Sequence, residues 1–139
     1  KFLGPREWRR DGLLLHRCTP ALSCLVTCLG GRRELLTFCG RDQDWEPCSA
    51  MLGELHAMPG ILAECASSPL EAAMLLPPPL PEGFTPGLVD GRLVELGWVY
   101  PIHPRELQWA RDHGLRSLLV RLGHLDMPIA VDPSRLSVV

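Results

Sequence analysis

Along the first forty residues the apolar positions recur at every second place. Leu22, Cys24, Val26 and Cys28 fall on one side of an extended chain, and period two marks a strand with one buried face. Leu13 to Cys18 reads as the strand before it, stopped by Thr19-Pro20. Glu34 to Cys39 reads as the return strand after a Gly30-Gly31 hairpin turn. The polar stretch from Gly4 to Gly12, with Arg6, Arg9 and Arg10 beside Trp8, reads as a lead-in segment or short helix. These patterns predict an antiparallel meander.

The period then changes. Cys48, Met51, Leu52 and Leu55 stand at i, i+3, i+4 and i+7, the stripe of an amphipathic helix. Asp44 is placed to cap it, Glu46 and Pro47 suit a first turn, and Met58-Pro59-Gly60 ends it. Ser68-Pro69-Leu70-Glu71 spells a capping box and predicts a second helix running to Leu76. Pro77-Pro78-Pro79-Leu80-Pro81 is a stiff connector. Beyond it, Val89-Asp90-Gly91-Arg92 reads as a tight turn and Arg92 to Tyr100 as a strand. Pro104 to His113, closed by Gly114, carries helix punctuation at both ends. Ser117–Leu122, Ile129–Val131 and Arg135–Val139 read as strands. The expected fold is α+β: an antiparallel sheet, N-terminal meander plus C-terminal strands, packed by two to three helices. Residues 1–139 are expected to form a single domain with the connector 77–81 between its halves.

Composition narrows the function classes. A chain of 139 residues with 46% hydrophobic and 22% charged residues can bury a core without staples. A net charge of −2 offers no basic excess for nucleic acid. No apolar run approaches the ~18 residues that cross a bilayer, and no secretory signal is visible, so no membrane partner is expected. Six cysteines could pair, but Cys24 and Cys28 sit too far apart along one strand to bridge. Thiols acting as small core hydrophobes fit better, and they imply a cytoplasmic setting.

The reactive side chains are scattered. The C-x3-C of Cys24 and Cys28 splays on a strand, unlike a zinc knuckle, so no metal is expected. Cys48 lies near a helix start, but His56 is two turns away. His103-Pro104-Arg105-Glu106 reads as a helix entry, and His113 and His124, each beside a Gly, as element ends. Trp98, Tyr100 and Trp109 read as core aromatics. No catalytic residue and no cofactor is expected. Asp42-x-Asp44-x-Glu46 lacks the further ligands of a calcium loop. It complements a helix dipole, and with Trp45 in its middle it makes an acidic docking rim for a basic protein partner. The expected partner-binding residues are Asp42, Asp44, Trp45, Glu46 and, further along, Glu54.

Thr37-Phe38-Cys39-Gly40, then Asp42 to Glu46, then Met51-Leu52-Gly53-Glu54-Leu55-His56 is a strand, an acidic turn and a helix. Over residues 13–65 this arrangement resembles small bacterial immunity proteins of polymorphic and contact-delivered toxin systems. The resemblance implies a non-catalytic protein that inhibits a cognate protein toxin by direct occlusion. A small thiol- or metal-dependent enzyme is the rival reading. A homodimeric scaffold subunit joined through its C-terminal strands is a third, so monomer and homodimer both stay open.

Overall fold

A computed structural model describes residues 6–40, 42–58, 60–78, 87–123 and 129–139. Its first strands are β1 (Arg6–Arg10), β2 (Leu13–Thr19), β3 (Leu22–Thr27) and β4 (Arg33–Cys39), an antiparallel meander. The stretch expected as a lead-in or short helix is therefore an edge strand. Asp11 (φ 46°) and Gly12 (φ 80°) are both left-handed, the tight hairpin turn whose twist matches its flanking strands. That turn sets Trp8 opposite Leu15. A short, bulged, arginine-rich strand suits a sheet edge, because its charges discourage pairing with another copy.

A 3-10 turn at Asp42–Asp44 leads into α1 (Trp45–His56). Cys48, Met51 and Leu52 are buried along its inner face, as the apolar stripe requires. Asp44 holds the capping position with helical backbone angles and without a side-chain cap hydrogen bond. Then come β5 (Leu62–Glu64), β6 (Ala72–Leu76), β7 (Gly87–Val89), β8 (Arg92–Ile102), α2 (Pro104–His113) and α3 (Leu115–Gly123).

Three elements differ from expectation. Ala72–Leu76 is a strand, not the end of a helix. Ser68 Oγ donates to the Ala72 carbonyl at 2.9 Å and Glu71 has φ 75°, so the cap-like signature closes a turn. The all-apolar run after it suits a strand covered on both faces. Ser117–Leu122 lies within α3, where Leu118 and Leu122, four apart, are the buried pair. The last residues form no strand: Val131 N donates to the Phe38 carbonyl at 2.8 Å, and Arg135 to Val139 run as an irregular strap. Pro59, His124 and the Pro79-Leu80-Pro81 part of the connector lie outside the described residues.

The strand order is β1-β2-β3-β4-β8-β6-β5, with β7 paired to β8 off that path. β8 runs parallel to β4 and antiparallel to β6, so strands from both sides of residues 77–81 share one sheet. The fold is α+β, a mostly antiparallel sheet with three helices among the described residues. Alternation sends Leu15, Leu25, Leu35, Cys39 and Val99 to one face, against Cys48, Met51 and Leu52 of α1. Leu14, Val26, Leu36, Phe38, Trp98 and Tyr100 point to the other, where Leu107, Ala110, Leu118 and Leu122 cover them from α2 and α3.

Two fully buried carboxylates tie these layers. Glu34 accepts from Thr27 Oγ1 at 2.6 Å, Gly30 N at 2.9 Å, His56 Nε2 at 3.0 Å and Arg92 Nη2 at 2.8 Å. Glu106 accepts both Arg135 guanidinium nitrogens at 2.7 Å, with His103 N at 2.7 Å and Val138 N at 3.0 Å. Burial alone would raise both acids. The donors outweigh it and hold each below the ordinary carboxylate range. Their stabilisation is therefore complete above the unfolded value, about 4.3, and is lost as pH falls through the lower folded values. Urea midpoints should drop steeply as pH falls below about 4. At neutral pH, Glu34→Gln should cost about 1–2 kcal/mol, because an amide is a weaker acceptor for Thr27, Gly30 and the partly exposed Arg92 than the carboxylate. An unchanged midpoint would remove Glu34 from this role.

Candidate functional site

The N-terminal end of α1 stands beside the free edge of the sheet, and an open groove runs between them. Trp8, Arg10, Asp11 and Leu13 line it from the β1–β2 hairpin, and Asp42, Trp45, Glu46 and Ser49 from the turn and helix. Trp8 and Trp45 are half-buried and meet edge to face, ring centroids 6.0 Å apart. Each indole has its own arginine: Arg10 lies 4.8 Å over Trp8 and Arg17 lies 5.5 Å over Trp45. Glu7 accepts from Arg17 Nε at 3.0 Å and so holds that guanidinium beside the ring. Alternation explains the gathering. Trp8 and Arg10 share the α1 face of β1, while Arg9 points to the opposite face and reaches Asp90 at 2.6 Å.

Of the five residues expected to bind a partner, Asp42, Trp45 and Glu46 share this groove, with Asp42 and Glu46 exposed. Asp44 is buried under the turn. Glu54 stands about 13 Å further along the helix and accepts from the Ala66 and Ser67 amides at 3.2 and 3.1 Å. Ser67 and these amides hold its carboxyl below the ordinary range. It braces the turn before β6 and is no part of the groove. Trp8, Arg10 and Arg17 were not among the expected site residues, and they turn the acidic rim into a groove of mixed charge. The Arg-rich run around Trp8 was their visible signal, but so short a strand shows too few periods to be recognised.

The thiols are placed as core. Cys24, Cys39, Cys48 and Cys65 are buried, and no disulfide joins any of the six cysteines. A hydrogen bond with Cys48, then burial, pushes the Cys39 thiol far up, and burial does the same to Cys24. Burial, with Glu54 nearby, pushes Cys65 up to about 11. Such thiols are poor nucleophiles. Two histidines are engaged as bracing: His56 Nε2 also donates to the Arg33 carbonyl at 3.1 Å, and His103 Nε2 donates to the Arg135 carbonyl at 2.7 Å. Among the described residues, no three His, Cys, Asp or Glu side chains converge as metal ligands would. No helix of the described residues is long and apolar enough to cross a membrane.

The family model for Suppressor of fused protein (SUFU) matches residues 45–136. The chain belongs to the SUFU family. The solved structure of a SUFU homolog from Neisseria gonorrhoeae shares its fold at TM-score 0.64 and 15% identity, covering 91% of this chain and 77% of that one. No curated protein matches the chain. Membership in the SUFU family overturns the resemblance to immunity proteins and the toxin-inhibitor role drawn from it. That resemblance rested on a strand, acidic turn and helix within residues 13–65, a junction that many α+β folds contain. The SUFU match instead runs from α1 through the second half.

Two measurements check this assignment of roles. Alkylation of the native chain should modify the half-buried Cys18 and Cys28 first, and the other four cysteines only under denaturing conditions. Rapid native labelling of Cys48 would contradict its placement. Glu54→Gln should speed amide exchange at Ala66 and Ser67 while leaving the indole resonances of Trp8 and Trp45 in place; movement of those resonances would tie Glu54 to the groove.

Proposed function

We propose that this SUFU-family chain is a non-catalytic protein-binding domain and that the groove between β1 and α1 is its binding surface. The observation that carries the reading is the Trp8–Trp45 pair, held half-buried in an open, charge-walled groove. Tryptophan supplies more binding energy per residue than other side chains at protein interfaces, most of all where neighbouring groups exclude water. Charged walls steer encounter and select partners. The buried, proton-holding thiols speak against the thiol-enzyme reading. The homodimer reading loses its edge strand, because Glu106 and Arg135 pin the C-terminal segment as a strap. Six cysteines without a disulfide suit a reducing compartment, which supports a cytoplasmic location.

Affinity capture from the host with variants in parallel tests the proposal. Wild type and Leu93→Ser, a change at an exposed site on β8 far along the chain from the groove residues, should recover the same protein. Trp45→Ala and Glu46→Lys, the latter at an exposed position, should each reduce recovery about tenfold or more. Equal recovery by all four, with folding verified by circular dichroism, would overturn the reading.

A further inference from the structure

The groove is charged unevenly. Among the described residues, its lining carries three carboxylates, Asp11, Asp42 and Glu46, and the guanidinium of Arg10. Arg17, beside Trp45, is held by Glu7 at 3.0 Å, with Asp42 as a more distant second counter-charge. The floor is a pair of indoles, whose faces attract cations by their quadrupole. The chain itself demonstrates the seat: Arg10, exposed and two residues on from Trp8, lays its guanidinium 4.8 Å from that ring centre. A planar guanidinium stacks on an indole and can donate to carboxylates around its rim at the same time. Leu13 gives the groove an apolar patch beside the rings.

Resting on the reading of this groove as the binding surface, we infer that its occupant is an arginine side chain of the partner protein, flanked by apolar residues. The incoming guanidinium displaces Arg10 from Trp8 and takes Asp11, Asp42 and Glu46 as counter-charges. Arg10 is thus a placeholder. It covers the ring in the free chain and leaves it on a flexible stem when a better-matched cation arrives. Among the described residues, Asp11, Asp42 and Glu46 with Glu7 outnumber Arg10 and Arg17, so an added cation improves the charge balance of the groove.

The test uses two blocked pentapeptides, Gly-Leu-Arg-Leu-Gly and the same peptide with citrulline, a neutral isostere of arginine. Binding is read from the indole N–H resonances of Trp8 and Trp45. The arginine peptide should bind about fivefold tighter than its citrulline counterpart, and added salt should narrow the gap. Arg10→Gln should tighten the arginine peptide about threefold by removing the competing cation. The double variant Asp42→Asn, Glu46→Gln should weaken it about fivefold. Equal affinity for the two peptides overturns the inference, as does weaker binding by Arg10→Gln, or silence of both indoles at millimolar peptide in wild type and Arg10→Gln alike. If the arginine preference fails while Trp45→Ala still loses the captured protein, the cation inference falls and the binding surface stands. If Trp45→Ala and Glu46→Lys also keep that protein, the binding surface falls as well.

Discussion

A carboxylate sealed from water organises this fold. Glu34 draws donors from the end of β3, from the turn that follows, from the last residue of α1 and from the start of β8. Those segments meet where the sheet makes its parallel pairing, β4 beside β8, the join that no short hairpin can set. A charge in that position must be neutralised and hydrogen-bonded or the site does not form. Glu34 therefore specifies how the second half of the chain docks on the first. Leu35 and Leu36, its neighbours on β4, then fall on opposite faces and seed the two cores.

The same carboxylate positions the groove. His56 anchors the C-terminal end of α1 to Glu34, and Cys48, Met51 and Leu52 hold the middle of the helix on the sheet. With its far end fixed, the helix delivers Trp45 to the side of β1 at its near end. There the edge strand answers with Trp8, and arginines from β1 and β2 cover the rings. Covering matters, since two bare indoles at an open sheet edge would invite association with another copy. Glu106 and Arg135 do corresponding work on the opposite face, closing the strap over α2 and the aromatic row of Phe38, Trp98 and Tyr100.

Much of this was legible in local pattern. The strand β3, though buried on both faces where its alternation predicts one, the apolar stripe of α1, the Asp90-Gly91 turn and the Pro104-to-Gly114 helix all follow from side-chain period and backbone preference, which act within a few residues. The misread segments share a cause. Ala72–Leu76 is built from good helix formers, yet both its faces are covered by the rest of the molecule, and that cover lies elsewhere in the chain. The short apolar run Ser117–Leu122 is compatible with either period, and packing on the sheet selects the helix that sets Leu118 above Leu122. Of the site, the Asp42–Glu46 turn was visible because its residues are adjacent. Trp8, Arg10 and Arg17 were not, because nothing local joins them to Trp45.

By itself the sequence determined the α+β class, the thiols as core-formers and the polar turn that opens α1. Those properties depend on the chemistry of neighbouring residues and on whether apolar side chains repeat at two or at three to four. Tertiary structure alone decided that β8 inserts between β4 and β6, that Glu34 and Glu106 become buried anchors, and that Glu54 serves as a brace while Trp8 joins Trp45. Each of those outcomes pairs groups distant along the chain. Burial and charge neutralisation select such pairs only once the whole sheet is assembled.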